Sequence, residues 1–411
     1  MAIAEAARPA LRRVRAGSAL LGPAFVASIA YVDPGNVAAN VSAGTRYGYL
    51  LVWVVVVANI MAGLVQYLSA KLGLVTGMSL PEALRERMPG AGRLAYWAQA
   101  ELVAVATDLA EVVGGAIALD LLFGLPLLIG GAITGAVSMA LFVVQDRRGQ
   151  RRFERVVTGL LAIVAIGFLA SLFVRPPSAT HLLGGLVPHF SGADSVLIAA
   201  AMLGATVMPH AVYLHSGLAR DRHGRADDTR RARLLRITRY DVGLAMLVAG
   251  TVNLAMLLLA ATNLRGQEID SIAGAYTAVG QTLGAGVALL FAVGLLASGL
   301  ASTSVGAYAG SMIMQGLLRK RVPLLLRRLV TMTPALVVLA VGAEPSAALV
   351  GSQVVLSFGI PFALVPLIRL TGDRAVMGQD ANHRLTSALA WLIAGLIIVL
   401  NVVLIGLTFL G

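Results

Sequence analysis

The stretch Ser28 to Asn40, SIAYVDPGNVAAN, sets a carboxylate, a proline, a glycine and an amide side by side at Asp33, Pro34, Gly35 and Asn36, inside a run otherwise apolar enough for hydrocarbon. A charge at bilayer depth costs at least about 3 kcal/mol, and proline and glycine both weaken helices, so this combination has a chemical purpose. A second interruption, LGATVMPHAVYLHS from Leu203 to Ser216, carries Met208, Pro209 and His210 in mid-span. A proline has no N–H and opposes the carbonyl four residues earlier, so the two prolines free the carbonyls of Ala30 and Ala205. With the Asp33 carboxylate, the Asn36 amide oxygen and the Met208 thioether, the two breaks offer one anionic charge, three neutral oxygens and one soft sulfur. Oxygen-only cages suit Mg²⁺ and Ca²⁺, whereas a thioether favours softer first-row ions such as Mn²⁺, Fe²⁺ and Co²⁺. Met208 is therefore either the selectivity element of a dication site or a packing residue, as a single membrane methionine usually is.

Acids form the second group. Glu101, Asp108 and Glu111 stand at i, i+7 and i+10 of one span, which puts all three on one helical face. A stripe of intramembrane carboxylates is open to three readings: a proton relay, a fixed ion-pair network, or the wall of a water-lined vestibule. Arg327 and Arg328 open a later span and are available to pair with the same acids. His210 is the histidine placed most clearly in mid-membrane, where a lone imidazole is more often a packing residue than a ligand; His215 follows on the same span.

The elements that must position these residues are membrane spans. The 411 residues are 58% hydrophobic and 13% charged, with mean hydropathy +0.84, which excludes a soluble domain and predicts a polytopic membrane protein. Eleven stretches are long enough to cross about 30 Å of hydrocarbon at about 1.5 Å per residue: 18–44, 50–72, 94–119, 124–144, 156–174, 195–218, 242–261, 284–314, 323–341, 346–370 and 385–410. All but three of the 32 lysines and arginines fall in alternate connections. The exceptions, Arg46, Arg175 and Arg265, lie one each in three opposite-side loops. The positive-inside rule then predicts a cytoplasmic N-terminus, with the first span retained rather than cleaved as a signal peptide, and an external C-terminus.

The basic loop 219–239 reads as a solvated cytoplasmic loop rather than a nucleic-acid surface. No cysteine is present, so disulfides and thiolate metal sites are excluded. Gly131 and Gly135 make one small-xxx-small pair, too common in a glycine-rich chain to imply a dimer, and a monomer is expected. Asn253, Ser302, Thr303 and Ser304 are read as vestibule-lining or as interhelical hydrogen-bonding groups.

The two breaks open spans one and six. Five spans per half is odd, so the halves insert with opposite orientation. Interrupted segments at corresponding places in two inverted halves point to a secondary transporter with its site near the midplane. The chain is thus expected to be one transmembrane transport domain, with repeats at about 18–174 and 195–370 and an extra helix at about 385–410. A Na⁺-coupled organic-solute symporter on the same scaffold would present backbone N–H groups to a substrate carboxylate, which Asp33 would repel. A fixed channel fits paired broken helices less well, and no nucleophile–base pair marks an enzyme.

DPGN in the first span and MPH in the sixth, together with ELVAVATDLAE in the third and SQVVLSFGIPFALVPL in the tenth, resemble the Nramp (natural resistance-associated macrophage protein) family of proton-coupled divalent metal transporters. Its bacterial members are manganese transporters of the MntH type. The resemblance covers nearly the whole chain and implies an all-α LeuT-type fold, a 5+5 inverted repeat with broken first and sixth helices plus an eleventh. It implies a divalent metal, Mn²⁺ and also Fe²⁺, bound by Asp33, Asn36, Met208 and the carbonyls of Ala30 and Ala205, with Gln353 joining during transport. It also implies a proton path through Asp33, Asp108, Glu111, His210, Glu101, Arg327 and Arg328, in a cell-membrane protein that carries metal and H⁺ and needs no cofactor.

Overall fold

Backbone amides in hydrocarbon must be paired within their own segment, which is why runs this apolar become helices. The computed structural model describes residues 22–225, 227–267, 269, 271–320 and 322–410, and among these every regular element is helical. The basic residues Arg8, Arg12, Arg13, Arg15 and Arg321, the start of the first expected span at 18–21, and the side chains of Arg147 and Arg148 lie outside the described residues.

The first span consists of α1 (Pro23–Ser28), a 3₁₀ turn (Ile29–Tyr31) and α2 (Pro34–Tyr47). Then follow α3 (Val52–Thr76), the short α4 (Leu80–Arg85), α5 (Gly90–Phe123), α6 (Leu127–Arg148), α7 (Gln150–Val174) and the short α8 (Ala179–Gly184). The sixth span is again two helices, α9 (Gly192–Thr206) and α10 (Pro209–His223). After it come α11 (Asp228–Asn263), α12 (Ile272–Leu283), α13 (Ala285–Leu318), α14 (Leu324–Ala340), α15 (Pro345–Gly372), α16 (Arg374–Met377) and α17 (Arg384–Leu410).

Eight of these, counting α9–α10 as one, are long and apolar enough to cross a membrane. The other three expected spans are the broken α1–α2, α6, whose apolar part is Leu127–Leu141, and α14, a 17-residue helix. The helix that carries the seventh span begins well before the expected crossing at 242, because Asp227 caps α11 and accepts from Arg230 N. The connecting helices α4, α8, α12 and α16 have no counterpart among the expected spans; they are too short or too amphipathic to register as crossings.

α5 and α13 pack along one another at the centre, α2 lies on α11, α10 on α3, and α17 covers α9 and α15 from outside. Two polar clamps hold one end. The Gly22 and Ala24 amides donate to the two oxygens of Asp241 on α11, both at 3.0 Å, which fixes the first turn of α1. Glu82 of α4 closes a capping box on Ser79 and meets Arg220 of α10, while Leu80 N donates to Ser216 Oγ at 2.8 Å. Partial burial opposes ionisation of Glu82, but the Ser79 N–H, Arg220 and the Ser79 hydroxyl outweigh it and hold the carboxyl below its ordinary value.

Close helix contact depends on missing side chains at a few points. A Cβ on Gly44 of α2 would strike the Leu257 carbonyl and come within 2.6 Å of the Ala260 Cβ, whereas one on Gly159 of α7 would meet nothing within 4 Å. Gly44→Ala should therefore lower stability by about 1–3 kcal/mol through overpacking. Gly159→Ala should leave the melting temperature of the purified protein unchanged or raise it slightly. Thermal unfolding of the two variants side by side tests the α2–α11 contact.

Candidate functional site

Both spans break by the same device. Asp33 is extended (φ −70°, ψ 169°) and caps α2, with Pro34 as the first helical residue; Met208 is extended (φ −80°, ψ 119°), with Pro209 opening α10. Proline is favoured there because its missing N–H is one that no helix would use. These are two separate helices per span, not kinks, and further main-chain acceptors are drawn into side-chain hydrogen bonds. In the first span Tyr31 accepts from Asn253 Nδ2 at 2.7 Å and Val32 from Ser298 Oγ at 2.5 Å. Ala30, the expected acceptor, lies fully buried in the 3₁₀ turn. Asn253, one of the residues read as vestibule or interhelical, is interhelical: its Oδ1 also accepts from Asn40 Nδ2 at 2.9 Å.

The two breaks meet through Asn36. Its Nδ2 donates to Asp33 Oδ1 at 2.6 Å and to the Ala205 carbonyl at 3.0 Å, and its backbone N–H donates to Asp33 Oδ1 at 2.9 Å. The amide nitrogen, rather than the oxygen the sequence pointed to, lies between the carboxylate and the carbonyl of the opposite half. Gln353 of α15 closes in from the side. A Cβ on Gly35 would collide with the Gln353 amide and lie 3.2 Å from Asp33 Oδ2, and both Gln353 amide atoms are buried without a hydrogen-bond partner. Met208 is fully buried and belongs to the same apolar cluster as Ala30 and Val32. Among the described residues no three His, Cys, Asp or Glu side chains converge, so any cation held here would rely on a single carboxylate supplemented by neutral donors.

The acid stripe divides. Glu101 pairs with Arg327 at 2.8 Å and Asp108 with Arg328 at 2.5 Å, while Arg328 also donates to Ser138 Oγ and Thr303 Oγ1 at 2.8 and 2.9 Å. Glu111 is buried, and neither of its oxygens has a hydrogen-bond partner. His210 is buried, with Nδ1 3.4 Å from Thr107 Oγ1 and Nε2 unpartnered. The Thr107 hydroxyl hydrogen is committed to the Val103 carbonyl at 2.9 Å, which makes Nδ1 the donor and leaves Nε2 a bare acceptor.

A profile of the natural resistance-associated macrophage protein-like family, Nramp, matches residues 24–407. The chain belongs to this family. It is 68% identical over 394 residues to a divalent metal cation transporter, MntH, of Mycobacterium tuberculosis, covering 95% of this chain and 92% of that one. A crystal structure of a manganese transporter from Eremococcus coleocola, in complex with an aromatic bis-isothiourea substituted compound, superposes with a TM-score of 0.87 at 31% identity, covering 94% of this chain and 86% of that one. Mhp1, a nucleobase-cation-symport-1 family transporter, shares the fold at a TM-score of 0.62 and 14% identity over 94% and 91% of the two chains. The fold is the LeuT type: a five-plus-five inverted repeat with broken first and sixth helices and an eleventh helix outside it.

Set against other polar groups in this Nramp chain, one cluster escaped the sequence reading. Gln66 on α3 donates to the Tyr31 hydroxyl at 2.5 Å, and its carbonyl oxygen accepts from His215 Nδ1 at 2.7 Å, tying α3 and α10 to the unwound turn. The available signal was Gln66, one of two amides in a largely apolar span.

Removing one partner of a buried ion pair strands the other. Arg328→Met should cost about 3–5 kcal/mol by leaving Asp108 unpaired. Adding Asp108→Asn should restore part of that loss, as read from melting temperatures of the single and double variants.

Proposed function

We propose that the protein imports divalent transition-metal ions, Mn²⁺ and also Fe²⁺, across the cell membrane in symport with protons, by alternating access. It is a transporter and not an enzyme. The observation that carries this reading is the Asn36 amide nitrogen, lodged between the Asp33 carboxylate and the Ala205 carbonyl with the unpartnered Gln353 amide beside it. A donor bridging an anion and a carbonyl occupies the kind of place a cation takes. Turning the amide over replaces Nδ2 with Oδ1 and converts the bridge into a third oxygen ligand. Asp33, Asn36, Ala205, Ala30, Met208 and Gln353 are then the ligand set, and the thioether biases it away from Ca²⁺ and Mg²⁺. The names of the relatives, a divalent metal cation transporter and a manganese transporter, support the same reading.

Asp33 also argues against a carboxylate-bearing substrate. It caps the N-terminus of α2, the position such a substrate would need.

For the proton, Asp33 is where metal and H⁺ meet, since a bound dication favours the ionised carboxyl. Asp108 is the next carrier, followed by Glu101, with Arg327 and Arg328 holding the path's charge balance and His210 tuning it. Glu111, the acid of the stripe with no ion-pair partner, can take or release a proton without breaking one. The chain sits with its N-terminus in the cytoplasm and its C-terminus outside, as a monomer. Its repeats run over about 18–174 and 195–370, and the helix at about 385–410 lies outside them.

In proteoliposomes with an inward proton gradient, the parent protein should take up Mn²⁺ and little Ca²⁺ or Mg²⁺, and Met208→Ala should admit the harder ions. Uptake by the parent that is indifferent to ion type would overturn the assignment. Asp33→Asn should abolish metal uptake, and Asp108→Asn should reduce metal-stimulated H⁺ entry at least tenfold. Unchanged H⁺ entry in the Asp108 variant, with none in the Asp33 variant, would remove Asp108 from the path.

A further inference from the structure

The arginines gathered at one end of the molecule fall into two groups. Arg220 meets Glu82 and Asp221, Arg222 meets Glu154, Arg231 meets Asp380, and Arg327 and Arg328 meet Glu101 and Asp108. Arg239 donates to the Tyr67 hydroxyl and lies over its ring. Arg230, Arg233 and Arg236, in the first turns of α11, are exposed and have no side-chain partner among the described residues. Their spacing places them on one helical face, and the same face continues through Tyr240, Leu244 and Leu247, which are 66%, 46% and 62% exposed.

Among the described residues nothing covers that apolar stripe, as expected of a face turned to lipid. Tyr240 stands where the guanidinium ladder gives way to leucine, the depth at which aromatic rings sit at a membrane surface. From Arg230 to Arg236 the helix rises about 9 Å, close to the thickness of one headgroup layer.

The neighbouring helix repeats the pattern. α7 packs on α11 and starts at the same end, as the pair between Glu154 and Arg222 at the end of α10 requires. Arg152 and Arg155 are exposed there, Arg155 donating only to the Arg151 carbonyl of its own helix at 3.4 Å, and they lie on the face that continues through Ile163 and Ile166.

The topology rule accounts for how many basic residues this end carries, but not for why these five exposed arginines stand in line with lipid-facing stripes. We infer that the Arg230–Arg233–Arg236 ladder, flanked by Arg152 and Arg155, is a binding surface for the headgroups of anionic phospholipids. Guanidinium forks match phosphate oxygens two at a time, and juxtamembrane arginines are attracted to anionic leaflets. The inference does not depend on what the protein carries.

The test uses the full-length protein released from nanodiscs of mixed phosphatidylcholine and phosphatidylglycerol, with retained lipid counted by native mass spectrometry. The parent should retain phosphatidylglycerol in preference. The triple variant Arg230→Gln/Arg233→Gln/Arg236→Gln should lose that preference by roughly fivefold per arginine. A charge-matched control, Arg319→Gln/Lys320→Gln/Arg374→Gln, should keep it, and the triple lysine variant of the ladder, which preserves charge and folding, should fall between. Equal retention by the parent and the ladder variant, or an equal loss in the control, overturns the inference. So does binding of inorganic phosphate at the ladder in lipid-free detergent with no preference among lipids.

Discussion

A backbone carbonyl or amide in hydrocarbon has no water to fall back on, and everything distinctive in this protein follows from how it meets that constraint where two helices are unwound. Each break exposes main-chain acceptors at bilayer depth, where an unpaired one costs at least about 2 kcal/mol. The chain answers with side chains from other helices. Asn253 serves Tyr31, Ser298 serves Val32, and Asn36 reaches across to Ala205. The unwound segments are therefore held by α11, α13 and each other rather than by their own helical ladders. A site assembled in this way is bound to the relative placement of the helices that supply its partners.

The charges obey the same economy. Buried carboxylates and guanidiniums are tolerated when each finds the other, as Glu101 with Arg327 and Asp108 with Arg328. Arg328 uses both terminal nitrogens, with a carboxylate on one and two hydroxyls on the other. Against this background three of the buried groups without a hydrogen-bond partner among the described residues stand out for their place: Glu111, the imidazole Nε2 of His210 and the Gln353 amide. They lie on α5, α10 and α15, the helices that surround the two breaks.

Much of this was legible in the sequence because it rests on strong, local signals. Asp33 and Pro34 inside an apolar run, Met208 and Pro209 in the matching place, and the alternation of basic loops are each hard to arrange by chance in a membrane chain. The arginine pair opening the ninth span was a visible match for the acids of the third. The geometry of the breaks was less accessible. A proline reads equally as a kink or as the first residue of a new helix, and only the extended conformation of Asp33 and Met208 distinguishes them. That difference brought the Tyr31 and Val32 carbonyls within reach of side-chain donors, in addition to Ala205. It also set which end of the Asn36 amide faces Ala205, because an amide's orientation depends on partners 169 residues away. The Tyr31–Gln66–His215 cluster and the helix α12 were missed for the same reason: one polar residue among many apolar ones, or a short amphipathic run between spans, has no periodic signature until its neighbours are in place.

The attachment of α1 to α11 has a mechanical consequence. Two amides in the first turn of α1 share the two oxygens of a single carboxylate, Asp241, so the contact cannot be loosened by halves without leaving one oxygen and one N–H without their partners. At its other end the same short helix passes into the unwound turn beside Asp33. The N-terminal half of the first span is thus a stiff rod with a two-pronged anchor at one tip and a joint at the other. It disengages all at once or not at all, which gives this end of the molecule the action of a catch rather than a spring.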